Sequence, residues 1–163
     1  MPATYESIAT TTISSPTSSI TFSGIASSWT DLRISFSALA GTGSQLTMRL
    51  NSDTSSNYSY QDFIGTGSSV SGNRSTNATS FVMHYNGFDA TLPTFVPIDI
   101  FRYAGSTYKT VLYGWNADRN GSGYVKYSVG LWRSTSAITS ISLNSDGTMA
   151  AGTIATLYGI KNA

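Results

Sequence analysis

"DLRISFSAL", residues 31–39, decides the fold class: Leu32, Ile34, Phe36 and Ala38 alternate with Asp31, Arg33, Ser35 and Ser37. Successive side chains of a β-strand point to opposite faces of its sheet, so this pattern describes a strand with one dry and one wet face. "QLTMRLN" (45–51) repeats it, setting Leu46, Met48 and Leu50 against Thr47, Arg49 and Asn51. Working outward, runs rich in Val, Ile, Thr, Tyr, Phe and Trp lie at 7–13, 18–23, 57–63, 79–85, 95–103, 108–116, 124–133, 138–143 and 153–161. These residue types suit a pleated, half-buried surface. Between them stand clusters such as "NSDTSSN" (51–57), "NADRNGSG" (116–123) and "NSDGT" (144–148), whose Asn, Asp, Gly and Ser supply turn chemistry.

Ten to eleven short strands with no helical pattern predict an all-β fold, an antiparallel two-sheet sandwich of jelly-roll-like form. Pro97 has no N–H for a sheet ladder, which marks its strand as an edge or a bulged one. The Gly- and Ser-rich segment 65–80 reads as the longest non-strand stretch. No linker divides the chain, so residues 1–163 form a single domain, with 1–6 an extended N-terminal arm.

Composition narrows the function. Charged residues are 10% of the chain, against about 25% in ordinary soluble domains. Hydroxyls replace them, with 28 Ser and 22 Thr. A hydrophobic content of 40% and an aromatic content of 12% still suffice for a packed core, so disorder is not expected. Net charge is +1 and the nine basic residues are dispersed, which argues against binding a nucleic-acid backbone. Cysteine is absent, removing disulfides and thiolate chemistry. "MPATYESIATTT" lacks the basic and apolar regions of a signal peptide, and no apolar run is long enough to span a membrane, so a soluble protein is expected.

Catalytic patterns are weak. His84 is the only histidine; it falls in mid-strand, and no G-x-S-x-G elbow accompanies it. Glu6 and the seven Asp residues show no spacing that pairs two carboxylates. "DRNGSG" (118–123) begins like a calcium loop, but Val129 stands where that loop needs Glu; a hairpin turn explains it better. No catalytic, cofactor-binding or metal-binding residue is predicted, and the chain does not read as an enzyme.

Aromatics remain. Tyr58, Tyr60, Tyr85, Trp115 and Trp132 have the character of a stacking platform for sugar rings, and the same residue types serve protein interfaces. In "YVKYSVGLWR" (124–133), Val125, Tyr127, Val129 and Leu131 share one face, while Tyr124 and Trp132 lie on the other. A strand apolar on its outer face too is covered either by another element or by another chain. Core packing, subunit contact and ligand binding all stay open at this point. The candidate interface residues are Met1, Tyr5, Trp115, Tyr124, Trp132 and Arg133; Tyr58, Tyr60 and Tyr85 are the candidate glycan contacts.

The opening "MPATYESIATTTISSPTSSITFSGI…WTDLRI" and the close "VGLWRSTSAITSISL…AAGTIATLYGIKNA" resemble a family of small all-β virion structural proteins of tailed bacteriophages. "MRLNSDTSSNYSY", "RSTNATS" and "YKTVL" resemble it as well, so the likeness runs nearly end to end. It implies a non-enzymatic part of the particle, either a capsid decoration (cement) protein or a tail or fibre component that binds a host receptor or glycan. With strand signals starting close to Met1 and no heptad or repeat shaft, decoration is the expected role. The implied partners are the major capsid protein and further copies of the chain, with a homotrimer favoured. Such a protein is made in the host cytoplasm and ends on the outer capsid surface. In that setting "MPATYE" is suited to pair with a neighbouring chain as an added strand.

Overall fold

The structure is a computed structural model that describes residues 5–42, 45–84 and 89–161. It contains thirteen strands: β1 (Tyr5–Thr12), β2 (Thr17–Ser23), β3 (Asp31–Ala38), β4 (Ala40–Thr42), β5 (Leu46–Leu50), β6 (Tyr58–Gly65), β7 (Val70–Ala78), β8 (Phe81–His84), β9 (Thr94–Ile100), β10 (Lys109–Asp118), β11 (Gly123–Trp132), β12 (Ser140–Met149) and β13 (Ile154–Ile160). They form an antiparallel two-sheet sandwich. The large sheet runs β1-β13-β3-β9-β10-β11-β6-β7; the small one runs β2-β12-β5-β8, with β4 added beside β12.

The alternating stretches place their apolar halves between the sheets as expected. Leu32, Ile34, Phe36 and Ala38 of β3 and Leu46, Met48 and Leu50 of β5 lie in one core that also holds Ile98, Val111, Ile141, Leu143 and Leu157. Each Leu, Ile, Val, Met or Phe among them, fully buried, contributes about 1.5–3 kcal/mol.

Three local expectations need correction. Pro97 lies in β9, an interior strand of the large sheet between β3 and β10. Its missing donor falls where the β9–β10 register passes from Tyr113↔Ile98 to Asn116↔Phe95, opposite Gly114. The segment 65–80 is not strand-free: it contains β7, the outermost strand, paired with β6. Most of β7 is exposed on both faces, so neither face needed apolar residues and no alternation marked it. Finally, Tyr5 and Glu6 do not form a free arm. They pair with Ile160 and Gly159 of β13 in the same chain, so this part of the arm is the edge strand of its own sheet; Met1 lies outside the described residues.

The hairpin at 118–123 is a turn. Asn120 N–H donates to Asp118 Oδ1 at 2.9 Å and Arg119 N–H to the Ser122 carbonyl at 2.8 Å. Asn120, Gly121 and Gly123 hold positive φ, which Gly and Asn tolerate best.

Candidate functional site

β11 is built the other way round from its apolar pattern. Val125, Tyr127 and Val129 point outward and are about half exposed, while Lys126, Ser128 and Trp132 point into the sandwich. The interior polar groups are matched. Lys126 Nζ lies 3.2 Å from Asp62 Oδ2 and donates to the Val82 and Met83 carbonyls of β8 at 3.1 and 3.2 Å. Ser128 Oγ donates to Asp62 Oδ1 at 2.7 Å. Three acceptors thus receive the three ammonium hydrogens, and the Tyr60 and Tyr113 rings flank the nitrogen. Burial pulls the Lys126 pKa below its ordinary value, with the Asp62 carboxylate opposing that shift. A second interior lysine, Lys109, donates to the Gly105 carbonyl at 2.7 Å and to the Thr107 carbonyl at 2.5 Å; burial lowers its pKa too.

With its polar residues committed inside, β11 leaves its apolar side chains on the outer face of the large sheet. Neighbouring strands extend the patch with Phe63 from β6, Leu112 from β10, Phe95 from β9 and Val70 from β7, all exposed. A shallow trough of about 490 Å³ crosses it, floored by Gly72, Pro97 and Gly114 and walled by Phe63, Leu112, Tyr127 and Val129. Gln61 and Asp99 are its polar edges. Arg33 Nε stands 3.5 Å from Asp99 Oδ1, and Arg74 Nη2 donates to Gln61 Oε1 at 2.9 Å. Burial raises the Asp99 pKa, with Arg33 opposing.

Most residues singled out from sequence lie elsewhere. Trp115 and Trp132 are core side chains at 0% and 2% exposure, which corrects their assignment to an interface. Trp132 Nε1 donates to Asp53 Oδ2 at 2.8 Å and its ring stacks near Tyr58; Trp115 Nε1 donates to the Tyr124 hydroxyl at 3.1 Å. Tyr124 is half-buried against the core. Tyr58 and Tyr60 are interior as well, so neither can stack on a sugar, and Tyr85 lies outside the described residues. Arg133 is exposed, but its guanidinium is held by the Ser56 carbonyl and Asn77 Oδ1. Tyr5 is exposed and stacks on Tyr158 at the far edge of the sheet. His84 closes β8.

The exposed face was therefore missed, although Val125, Tyr127 and Val129 had been placed together. Lys126 was the available signal. A lysine among apolar neighbours reads as the solvent side unless a buried carboxylate and carbonyls are known to wait for it.

Fold and surface together define an all-β sandwich with one apolar, uncovered sheet face. No family model matches this chain, and no curated protein matches it.

Proposed function

We propose that this protein is a structural component of a tailed-phage particle, a decoration protein that assembles on the outer capsid surface with further copies of the chain and with the major capsid protein. One observation carries the reading: an exposed sheet face made of Phe63, Phe95, Leu112, Val125, Tyr127 and Val129. Contiguous apolar patches of this kind mark surfaces that other molecules cover. Few charges need desolvation there, and aromatic side chains give large contact area at low entropic cost. The end-to-end sequence resemblance supports the same reading, which assigns no catalytic step to the chain.

The trough favours a second reading, a tail or fibre component that binds a host glycan. Tyr127 and Phe63 beside the polar edges Gln61 and Asp99 are groups that suit a sugar's apolar face and its hydroxyls. Imaging of purified particles, with the copy number of the chain per particle, separates the two. Hundreds of copies on the capsid support decoration; a few tens or fewer at the tail, with glycan binding lost in Tyr127→Ala, support the second. A particle preparation without the chain overturns both.

A further inference from the structure

The two flanks of β11 on the outer face of the large sheet carry complementary side chains. Three rows of side chains cross it, each centred on β11. Through Val129 the row reads Asp99, Leu112, Val129, Gln61, Arg74. Through Tyr127 it reads Gly114, Tyr127, Phe63, Gly72, with Pro97 beyond Gly114, its Cγ 3.2 Å from where a Cβ there would stand. Through Val125 it reads Phe95, Asn116, Val125, Gly65, Val70.

From the outer face of this sheet we infer that its occupant is a second copy of this chain, related by a two-fold axis running along β11 between the stacked sheets. The inference rests on the reading of this face as an assembly surface and names the partner there. Such an axis exchanges the two sides of each row. Asp99 then opposes the partner's Arg74, and Arg74 the partner's Asp99. Phe63 falls on Gly114, flanked by Pro97 and Asn116; Leu112 meets Gln61, Asn116 meets Gly65, and Phe95 meets Val70. Val125, Tyr127 and Val129 meet their own counterparts at the axis. The acid Asp99 faces a base, and the bulky Phe63 and Asn116 face glycines.

Shape and area agree. A two-fold along the central strand maps a twisted sheet onto a surface parallel to itself, so the faces nest despite their twist. A two-fold across the strands nests equally well but sets the Asp99 carboxylate on Phe95, which desolvates a charge against a ring. The exposed parts of the seven apolar side chains amount to on the order of 600 Å² per copy, taking about 150–250 Å² for a whole aromatic. With Gln61, Arg74, Asp99 and Asn116 as a rim, that approaches the roughly 800 Å² per partner of a standard interface. The face thus calls for a dimer in place of the trimer implied by the resemblance.

The test uses the purified full chain without capsids, so its outcome is separate from where the chain sits on particles. Light scattering at up to about 100 μM, a level that saturates a micromolar contact, is expected to give twice the 17.3 kDa chain mass. Val129→Arg sets two cations at the axis and is expected to return the mass to that of one chain with an unchanged β-sheet spectrum. Stacked sheets lie about 10 Å apart, beyond disulfide reach, so a short bis-maleimide is the probe for cysteine variants. The chain has no native cysteine to compete. Val129→Cys is expected to cross-link to itself. Val70→Cys alone is expected not to, yet to cross-link when mixed with Phe95→Cys. A monomer or trimer by mass, or a dimer in which Val129→Cys stays uncross-linked, overturns the inference. If Val129→Arg fails to fold, the cysteine variants decide. A monomer found on capsids refutes only this two-fold, and a dimer absent from capsids refutes only the decoration role.

Discussion

Lys126 Nζ lies 3.2 Å from Asp62 Oδ2 in the interior of the sandwich, where both side chains are almost wholly buried. The two carbonyls of β8 complete the ammonium's partners, so one lysine of the large sheet rivets the small sheet to it. Removing one member of a buried pair leaves the other charge uncompensated, which costs about 3–5 kcal/mol. Lys126→Met is expected to lower the urea midpoint accordingly. Adding Asp62→Leu to it is expected to recover most of the loss, because a matched apolar pair has no unmet charge. A Lys126→Met variant as stable as the parent would refute the rivet.

Trp132 is a structural residue. Trp132→Ala removes a buried ring and its bond to Asp53 and is expected to cost about 3–5 kcal/mol, a large share of the 5–15 kcal/mol typical of a domain. Trp132→Phe keeps most of the packing but leaves Asp53 one donor short, with an expected loss of about 1–3 kcal/mol. Chemical denaturation of both variants checks the order. Equal losses would mean that the indole N–H contributes nothing.

Gly130 in β11 lies against Phe81, and a Cβ at Gly130 would stand 2.4 Å from Phe81 Cε1. Gly130→Ala is therefore expected to destabilise by about 1–3 kcal/mol through overpacking. Gly65→Ala, where a Cβ would meet nothing within 4 Å in the same chain, is the control and is expected to leave the melting temperature of the dilute, monomeric chain nearly unchanged.

Tyr58 supplies a pH dependence at the alkaline end. Its hydroxyl shares its one hydrogen between the Asp53 and Leu50 carbonyls and accepts from Leu50 N–H, and burial pushes its pKa to about 12. The unfolded value is near 10. The stability that the neutral hydroxyl contributes is whole below pH 10 and is lost as pH rises through about 12. Difference absorbance between the parent and Tyr58→Phe is expected to show one tyrosinate forming near pH 12. Ionisation of that residue near pH 10 would refute the burial.

Much of the fold was legible in sequence because its strongest strands obey one rule. β3 and β5 alternate cleanly, and each buries its apolar half. β7 was hidden, since an edge strand with both faces wet needs no alternation. Trp132 was misread because its partner, Asp53, lies 79 residues away; a tryptophan with a distant buried acceptor looks the same in text as one awaiting another chain.

By itself the sequence determined the all-β class, the positions of most strands and the paired faces of each. It left open which face of β11 turns inward, because alternation is symmetric: a one-residue shift exchanges inside and outside without altering the pattern. Only the tertiary structure decided that. Asp62 on β6 and the β8 carbonyls gather around one point, and their combined hydrogen bonds make burial of Lys126 tolerable. Once Lys126 turns in, Val125, Tyr127 and Val129 must turn out.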